Sequence, residues 1–228
     1  MVQEMISHKY KCIFIHIPKT AGTSIENALG HFDGHQGRDG QDHRCIRMVE
    51  PRINAGIFYS KANFRMFLSS VRYNFRNYKN PNNGLTVSRA QYNSYFKFAV
   101  VRDPWDRVYS SYEAVMRDEI SKRTWGIKQP ITFNEFLHMF MGKEMLLYPQ
   151  TYWLKDFKNQ LPFDYVCRFE NLKDDFDKVC RIMGFKSIVL PHINKGSGGD
   201  YKDRVDNEAA DLIAEFYKEE IELFNYSF

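Results

Sequence analysis

No run of about eighteen apolar residues occurs in the 228-residue chain, so no segment of it is expected to span a membrane. Its opening, Met1-Val2-Gln3-Glu4-Met5, lacks a basic stretch followed by an apolar one, and no signal peptide is expected. A large excess of charge of one sign is missing too. Lys plus Arg number 32 against 28 Asp plus Glu, a net +4, so there is no overall polyanion signature. No nucleic-acid partner is expected, and any basic surface must be local. The four cysteines (Cys12, Cys45, Cys167 and Cys180) form no C-x-x-C pair, which leaves reduced thiols as the simpler expectation and gives no sign of a metal centre. Repeats, linkers and low-complexity tracts are missing as well, which points to one domain over residues 1–228.

What is present is globular: 43% of residues are hydrophobic and 16% aromatic, enough for a sizeable core. The stretch Lys11-Cys12-Ile13-Phe14-Ile15-His16-Ile17 reads as a short buried strand. Pro18 ends it, because proline has no N–H to donate to a ladder. Lys19-Thr20-Ala21-Gly22 then reads as a turn, with Gly22 permitting its tightness. Thr23 and Ser24 open a helix that ends near Gly30. Strand, polar turn and helix N-terminus together make a place to hold an anion, through backbone N–H groups, hydroxyls and the helix dipole. The other reading is a strand–turn–helix with an ordinary exposed lysine. The loop is not the G-x-x-x-x-G-K-S/T nucleotide loop, since Lys19 precedes Gly22.

Further along, residues 31–44 have loop composition and carry His31, His35 and His43. Asp42 can cap a short helix with Ile46, Val49 and Ile53 on its apolar face. Between Phe58 and Tyr78, Phe64, Phe67, Leu68, Val71 and Phe75 recur at helical spacing. Arg65, Arg72, Arg76 and Lys79 share another face of that helix, either as a solvated flank or as a strip for an acidic acceptor. Asn80-Pro81-Asn82-Asn83-Gly84 reads as a turn.

Phe96 to Arg102 is a second strand candidate, and Asp103-Pro104 caps a helix running to about Glu119. Thr132-Phe133-Asn134-Glu135 is a capping box. Asp164 to Phe169 is a third strand, followed by a helix from about Leu172 to Met183 that Gly184 ends. A glycine-rich loop containing Lys195 and Gly196 precedes a last helix over about 205–224, with a Glu-rich exposed side. Strands alternating with helices predict an α/β fold with a central, mainly parallel sheet flanked by helices on both faces.

The segment Val101-Arg102-Asp103-Pro104-Trp105-Asp106-Arg107-Val108-Tyr109-Ser110-Ser111-Tyr112 carries the strongest single signal. Arg102 stands at the C-terminal end of a strand, where open parallel sheets bind ligands, and Ser110 follows about two helical turns on. A planar donor fork and a hydroxyl suit a phosphate. The competing role for Arg102 is a structural ion pair with a nearby carboxylate.

Together the two segments resemble the sulfotransferases that use 3′-phosphoadenosine 5′-phosphosulfate (PAPS). Pro18-Lys19-Thr20-Ala21-Gly22-Thr23-Ser24 is similar to their 5′-phosphosulfate loop. Arg-Asp-Pro-x-x-Arg-x-x-Ser-x-Tyr, starting at Arg102, is similar to the 3′-phosphate segment of the carbohydrate enzymes, and the two occur in the expected order. Gln150 to Leu154, Arg168 to Leu172 with Asp175-Phe176, and Ile221 to Tyr226 look like later landmarks of sulfotransferase family 2, the group with heparan- and chondroitin-type enzymes and bacterial relatives. Asp42 to Arg47 matches more loosely, and the segment of about 50–95 looks enlarged. The resemblance implies a P-loop-like sulfotransferase fold.

It also implies roles. Lys19 would stabilise charge on the leaving 5′-phosphate, with Pro18, Thr20, Ala21, Gly22, Thr23 and Ser24 forming its cradle. Arg102 and Ser110 would hold the 3′-phosphate, and Lys195 and Gly196 would close over the nucleotide unless theirs is simply a surface loop. His43 is the candidate base for the acceptor hydroxyl, with His31 and His35 as competitors and His16 as a strand residue beside the loop. No metal is expected, because a sulfuryl group carries less charge than a phosphoryl and no carboxylate cluster stands ready for magnesium. The acceptor is expected to be a hydroxylated sugar or glycan. A kinase-like phosphoryl transferase and a non-catalytic nucleotide-binding module are the alternatives. The expected location is the cytoplasm for a complete bacterial chain, or the Golgi lumen for a trimmed eukaryotic catalytic domain.

Overall fold

The computed structural model describes residues 6–30, 43–51, 61, 63–64, 68, 71, 83–84, 86–186, 188–190 and 201–228. The chain divides into two compact units, each built from two segments: Met1–Val101 with Tyr152–Ile193, and Arg102–Thr151 with Asn194–Phe228.

The first unit is a sheet with helices. Its strands are β1 (Ile6–Ser7), β2 (Cys12–Ile15), β3 (Asn83–Gly84), β4 (Phe96–Val101) and β5 (Tyr165–Arg168), in the order β3-β1-β2-β4-β5. β2, β4 and β5 run parallel, with Ile15 opposite Ala99 and Val101 opposite Arg168, while β1 is antiparallel to both its neighbours. The three parallel strands are those expected from their apolar runs. Residues alternate between faces: Cys12, Phe14, Phe98, Val100 and Cys167 form one core with Ile25 and Leu29 and with Phe176, Val179 and Cys180 of the helix Leu172–Ile182. Ile13, Ile15, Ala99 and Val101 on the opposite face are buried as well, the pattern of a parallel sheet covered on both sides. Burial pushes the Cys12 thiol up to about 12 and those of Cys167 and Cys180 upward too, so these cysteines act as small apolar core residues.

Two short strands depart from expectation. Asn83-Gly84, read as turn, pairs instead with Ile6-Ser7. Two-residue strands carry too little pattern to show in a sequence. The helix Arg89–Ser94 begins with a Ser88/Gln91 capping box, a legible signal that the apolar pattern hid. Of the expected helix over 58–78, Lys61, Asn63, Phe64, Leu68 and Val71 are helical, and Phe64 and Leu68 are exposed. The expected helix after Asp42 is Ile46–Val49, with Ile46 and Val49 buried and no side-chain cap on Cys45; Asp42 and Ile53 lie outside the described residues.

The second unit is helical. Asp103 caps the helix Pro104–Arg117, accepting from the Asp106 N–H at 3.1 Å, with Pro104 at the first position where no donor is needed. Thr132 and Glu135 cap the helix Phe133–Phe140 reciprocally. Trp105, Val108 and Val115 of the first helix meet Phe136, Leu137 and Phe140 of the second and Ile213 and Tyr217 near the C-terminus. The expected last helix is two, Asn207–Phe216 and Lys218–Phe224, broken at Tyr217, whose buried hydroxyl donates to the Leu147 carbonyl at 2.6 Å. The break turns Glu220 inward, so one residue of the expected Glu-rich exposed side is fully buried.

Candidate active site

The chain leaves β2 through buried His16, Ile17 and Pro18 and reverses over Lys19, Thr20 and Ala21 into the helix Gly22–Ala28. Lys19 and Ala21 both adopt left-handed backbone, φ 69° and 61°. Non-glycine residues there cost roughly 1–2 kcal/mol each, a strain typical of functional loops. Two left-handed residues in three curl the chain tightly, and the Ser24 N–H turns back to the Ala21 carbonyl at 3.0 Å. Lys19, Ala21, Thr23 and Ser24 are half-buried, whereas Thr20 is fully buried and its hydroxyl donates to the Ile17 carbonyl at 2.9 Å. The Thr20 hydroxyl therefore braces the loop internally.

Gly22 has a different task from the one expected. The turn's positive φ values fall on Lys19 and Ala21, and Gly22 is the first helical residue. A Cβ on it would overlap Cδ2 and Nε2 of His16 and lie 2.5 Å from Cγ. The glycine is there because an imidazole ring lies against its Cα.

That ring is held firmly. His16 Nδ1 lies 2.9 Å from Oε1 of Glu26, and the two side chains are 3% and 0% exposed. Burial of both groups makes this hydrogen bond costly to lose. His43, half-buried, packs on His16 with ring centroids 4.4 Å apart and places its Nδ1 3.2 Å from the His16 carbonyl oxygen. Buried Trp153 presents its ring edge-on to His43 at 6.2 Å. The first unit thus brings His43 against the residue three before Lys19. Sequence reasoning named His43 and Lys19 but missed Glu26; an acid ten residues after a histidine has no periodic signature.

In the second unit, Arg102 makes the carboxylate pair that was its competing role: Nε and Nη2 each lie 2.8 Å from an oxygen of Asp106. This side-on fork fixes the guanidinium plane against Asp106. Ser110 lies one turn beyond Asp106 on the same face of the helix Pro104–Arg117 and is half-buried. The Arg102 backbone is clamped by the side chain of buried Gln150, which accepts from its N–H and donates to its carbonyl, each at 2.8 Å. Gln150 is anchored by the carboxylate of Glu220, which takes both its N–H and its Nε2. Arg107, equally buried, lies 4.0 Å from Glu220. Desolvation raises the Glu220 carboxyl above its ordinary range, with Arg107 and Gln150 pulling the other way.

His31, His35, Arg65, Arg72, Arg76, Lys79, Lys195 and Gly196 lie outside the described residues. Among the described residues no three His, Cys, Asp or Glu side chains converge as metal ligands would, and no helix is long and apolar enough to cross a membrane. Compared with curated proteins, the chain has no significant match. The profile of the sulfotransferase family matches residues 3–227, essentially its whole length. With its mainly parallel α/β sheet and a match of that extent, the chain belongs to the sulfotransferase family.

Proposed function

We propose that this protein transfers the sulfuryl group of PAPS to a hydroxyl of a carbohydrate acceptor, with His43 as general base and Lys19 at the leaving group. The family supplies sulfuryl transfer in general. What supports the finer reading is the hydrogen-bonding distance between His43 and the His16 carbonyl, which keeps the candidate base within three residues of the lysine loop. A carbonyl oxygen can only accept, so His43 Nδ1 carries the hydrogen and the neutral ring keeps its lone pair on Nε2, as a base requires.

PAPS supplies an activated sulfuryl group on a 5′-phosphate and a 3′-phosphate as a second handle. The donor set fits both. Lys19, the N–H groups of the curled loop and the hydroxyls of Thr23 and Ser24 suit the 5′-phosphate, and Lys19 neutralises the charge that collects there as the S–O bond breaks. Arg102 and Ser110 suit the 3′-phosphate, and Lys195 and Gly196 are the proposed further nucleotide contacts. His43 Nε2 takes the proton of the acceptor hydroxyl as its oxygen approaches sulfur in line. The arginine strip Arg65, Arg72 and Arg76 is the proposed contact for an acidic sugar.

Lys19→Ala tests this reading. Its turnover should fall by about two orders of magnitude or more, while its affinity for adenosine 3′,5′-bisphosphate changes much less. Unchanged turnover would remove Lys19 from the leaving-group role.

A further inference from the structure

The pair beneath the loop is unusual for what it spends. Glu26 and His16 are almost wholly buried and joined at 2.9 Å, in a place where two apolar side chains of similar volume would stabilise the fold as well or better. What a charged or hydrogen-bonded pair adds is orientation. His16 Nδ1 lies 2.9 Å from Glu26 Oε1, a hydrogen bond that fixes the plane of that ring. The absent side chain of Gly22 lets the ring lie against the helix start. The fixed ring forms the floor on which His43 rests at 4.4 Å, and the same residue's carbonyl takes the His43 Nδ1–H. His16 thereby meets the candidate base through both its ring and its carbonyl, and the Trp153 ring lies 6.2 Å from the His43 ring, centroid to centroid.

We infer that Glu26 and His16 are positioning residues for His43: Glu26 locks the His16 ring, and His16 holds His43 in the Nδ1–H tautomer with Nε2 as the proton acceptor. The inference rests on the reading of His43 as the base, and it concerns residues that neither sulfuryl transfer nor the nucleotide motifs assign. No bond is made or broken at Glu26 or His16. The proton from the acceptor hydroxyl goes to His43 Nε2, and the His16 carbonyl, held in place, stabilises the imidazolium that results.

Two measurements test it. In the wild-type protein, nitrogen NMR of labelled histidines should show neutral His43 protonated at Nδ1; a neutral ring protonated at Nε2 overturns the inference without any variant having to fold. In Glu26→Met, which keeps the volume and removes the hydrogen-bonding oxygens, turnover should fall roughly 10- to 100-fold, with unchanged affinity for adenosine 3′,5′-bisphosphate and a mixed His43 tautomer. Added to His43→Ala, the same change should cost turnover nothing further. An equal loss in both backgrounds, or an unmoved tautomer in Glu26→Met, shows a merely structural pair and overturns the inference. Normal turnover in His43→Ala alone would instead overturn the base assignment, and the tautomer result would still report on the positioning.

Discussion

The Gln150 side chain closes a ring of two hydrogen bonds on the backbone of Arg102, both at 2.8 Å. It does for Arg102 what a neighbouring strand does for the residues of β4 just before it, and so extends defined backbone one residue past the strand. Gln150→Leu leaves the Arg102 N–H and carbonyl without these partners. Stability to urea should fall by roughly 2–6 kcal/mol, since each of these two partly buried polar groups left unpaired costs about 1–3 kcal/mol. A loss well under about 1 kcal/mol would show that the clamp contributes little.

Adjacent loop positions should respond in opposite directions to a single methyl. Gly22→Ala forces a Cβ into the His16 ring, which Glu26 holds from the other side, and should destabilise by about 1–3 kcal/mol. Ala21→Gly removes a Cβ from a left-handed residue and should leave stability unchanged or slightly raised, because strain relief offsets the added freedom of the unfolded chain. Thermal melts of the two variants against wild type check the pair. Equal losses would contradict the account of both positions.

For Arg102→Ala, the quantity to measure is discrimination. If Arg102 holds the 3′-phosphate, titration calorimetry should show the preference for adenosine 3′,5′-bisphosphate over AMP reduced by about 10- to 100-fold, the worth of a charge-assisted hydrogen bond. An unchanged preference would remove Arg102 from the 3′-phosphate role.

The helical unit should also lose stability in acid through its caps. The Thr132 N–H and hydroxyl hold the Glu135 carboxyl below its ordinary value, at 2.7 and 2.9 Å, and the Ala209 N–H with the Asn134 amide does the same for Asp206. A carboxyl lowered by folding stabilises above its unfolded pKa, near 4.5 for Glu135, and loses that contribution as pH falls through the folded value. Glu135→Gln keeps the capping geometry without titrating. Its melting temperature should therefore fall less between pH 7 and pH 3 than that of wild type. Glu220, whose raised pKa acts in the opposite sense, is common to both proteins and cancels. Identical pH profiles would contradict the role given to Glu135.

Much of this architecture is legible in the residues because it rests on local rules. The strands at Cys12, Phe96 and Tyr165 show as apolar runs, and the caps at Asp103 and Thr132 as residue types at fixed offsets. The loop from Pro18 to Ser24 shows by its order of lysine before glycine. Contacts joining distant positions are illegible for the same reason. Nothing in the spacing of His16 and Glu26, or of Gln150 and Arg102, marks them as partners. Gly22 shows the intermediate case: its presence is readable, but a sequence offers flexibility as the reason, and the packing of the His16 ring supplies another. At the break the buried Tyr217 hydroxyl reaches the Leu147 carbonyl, a tertiary contact that helical periodicity does not reveal.

Sulfuryl transfer itself is tested most directly by incubating the wild-type protein with radiolabelled PAPS and a panel of glycans, sugars, phenols and simple alcohols. The account predicts label in a hydroxylated sugar acceptor, matched by acceptor-dependent release of adenosine 3′,5′-bisphosphate, with both lost in Lys19→Ala. Label in none of the acceptors, or release that ignores both the acceptor and Lys19, would contradict it.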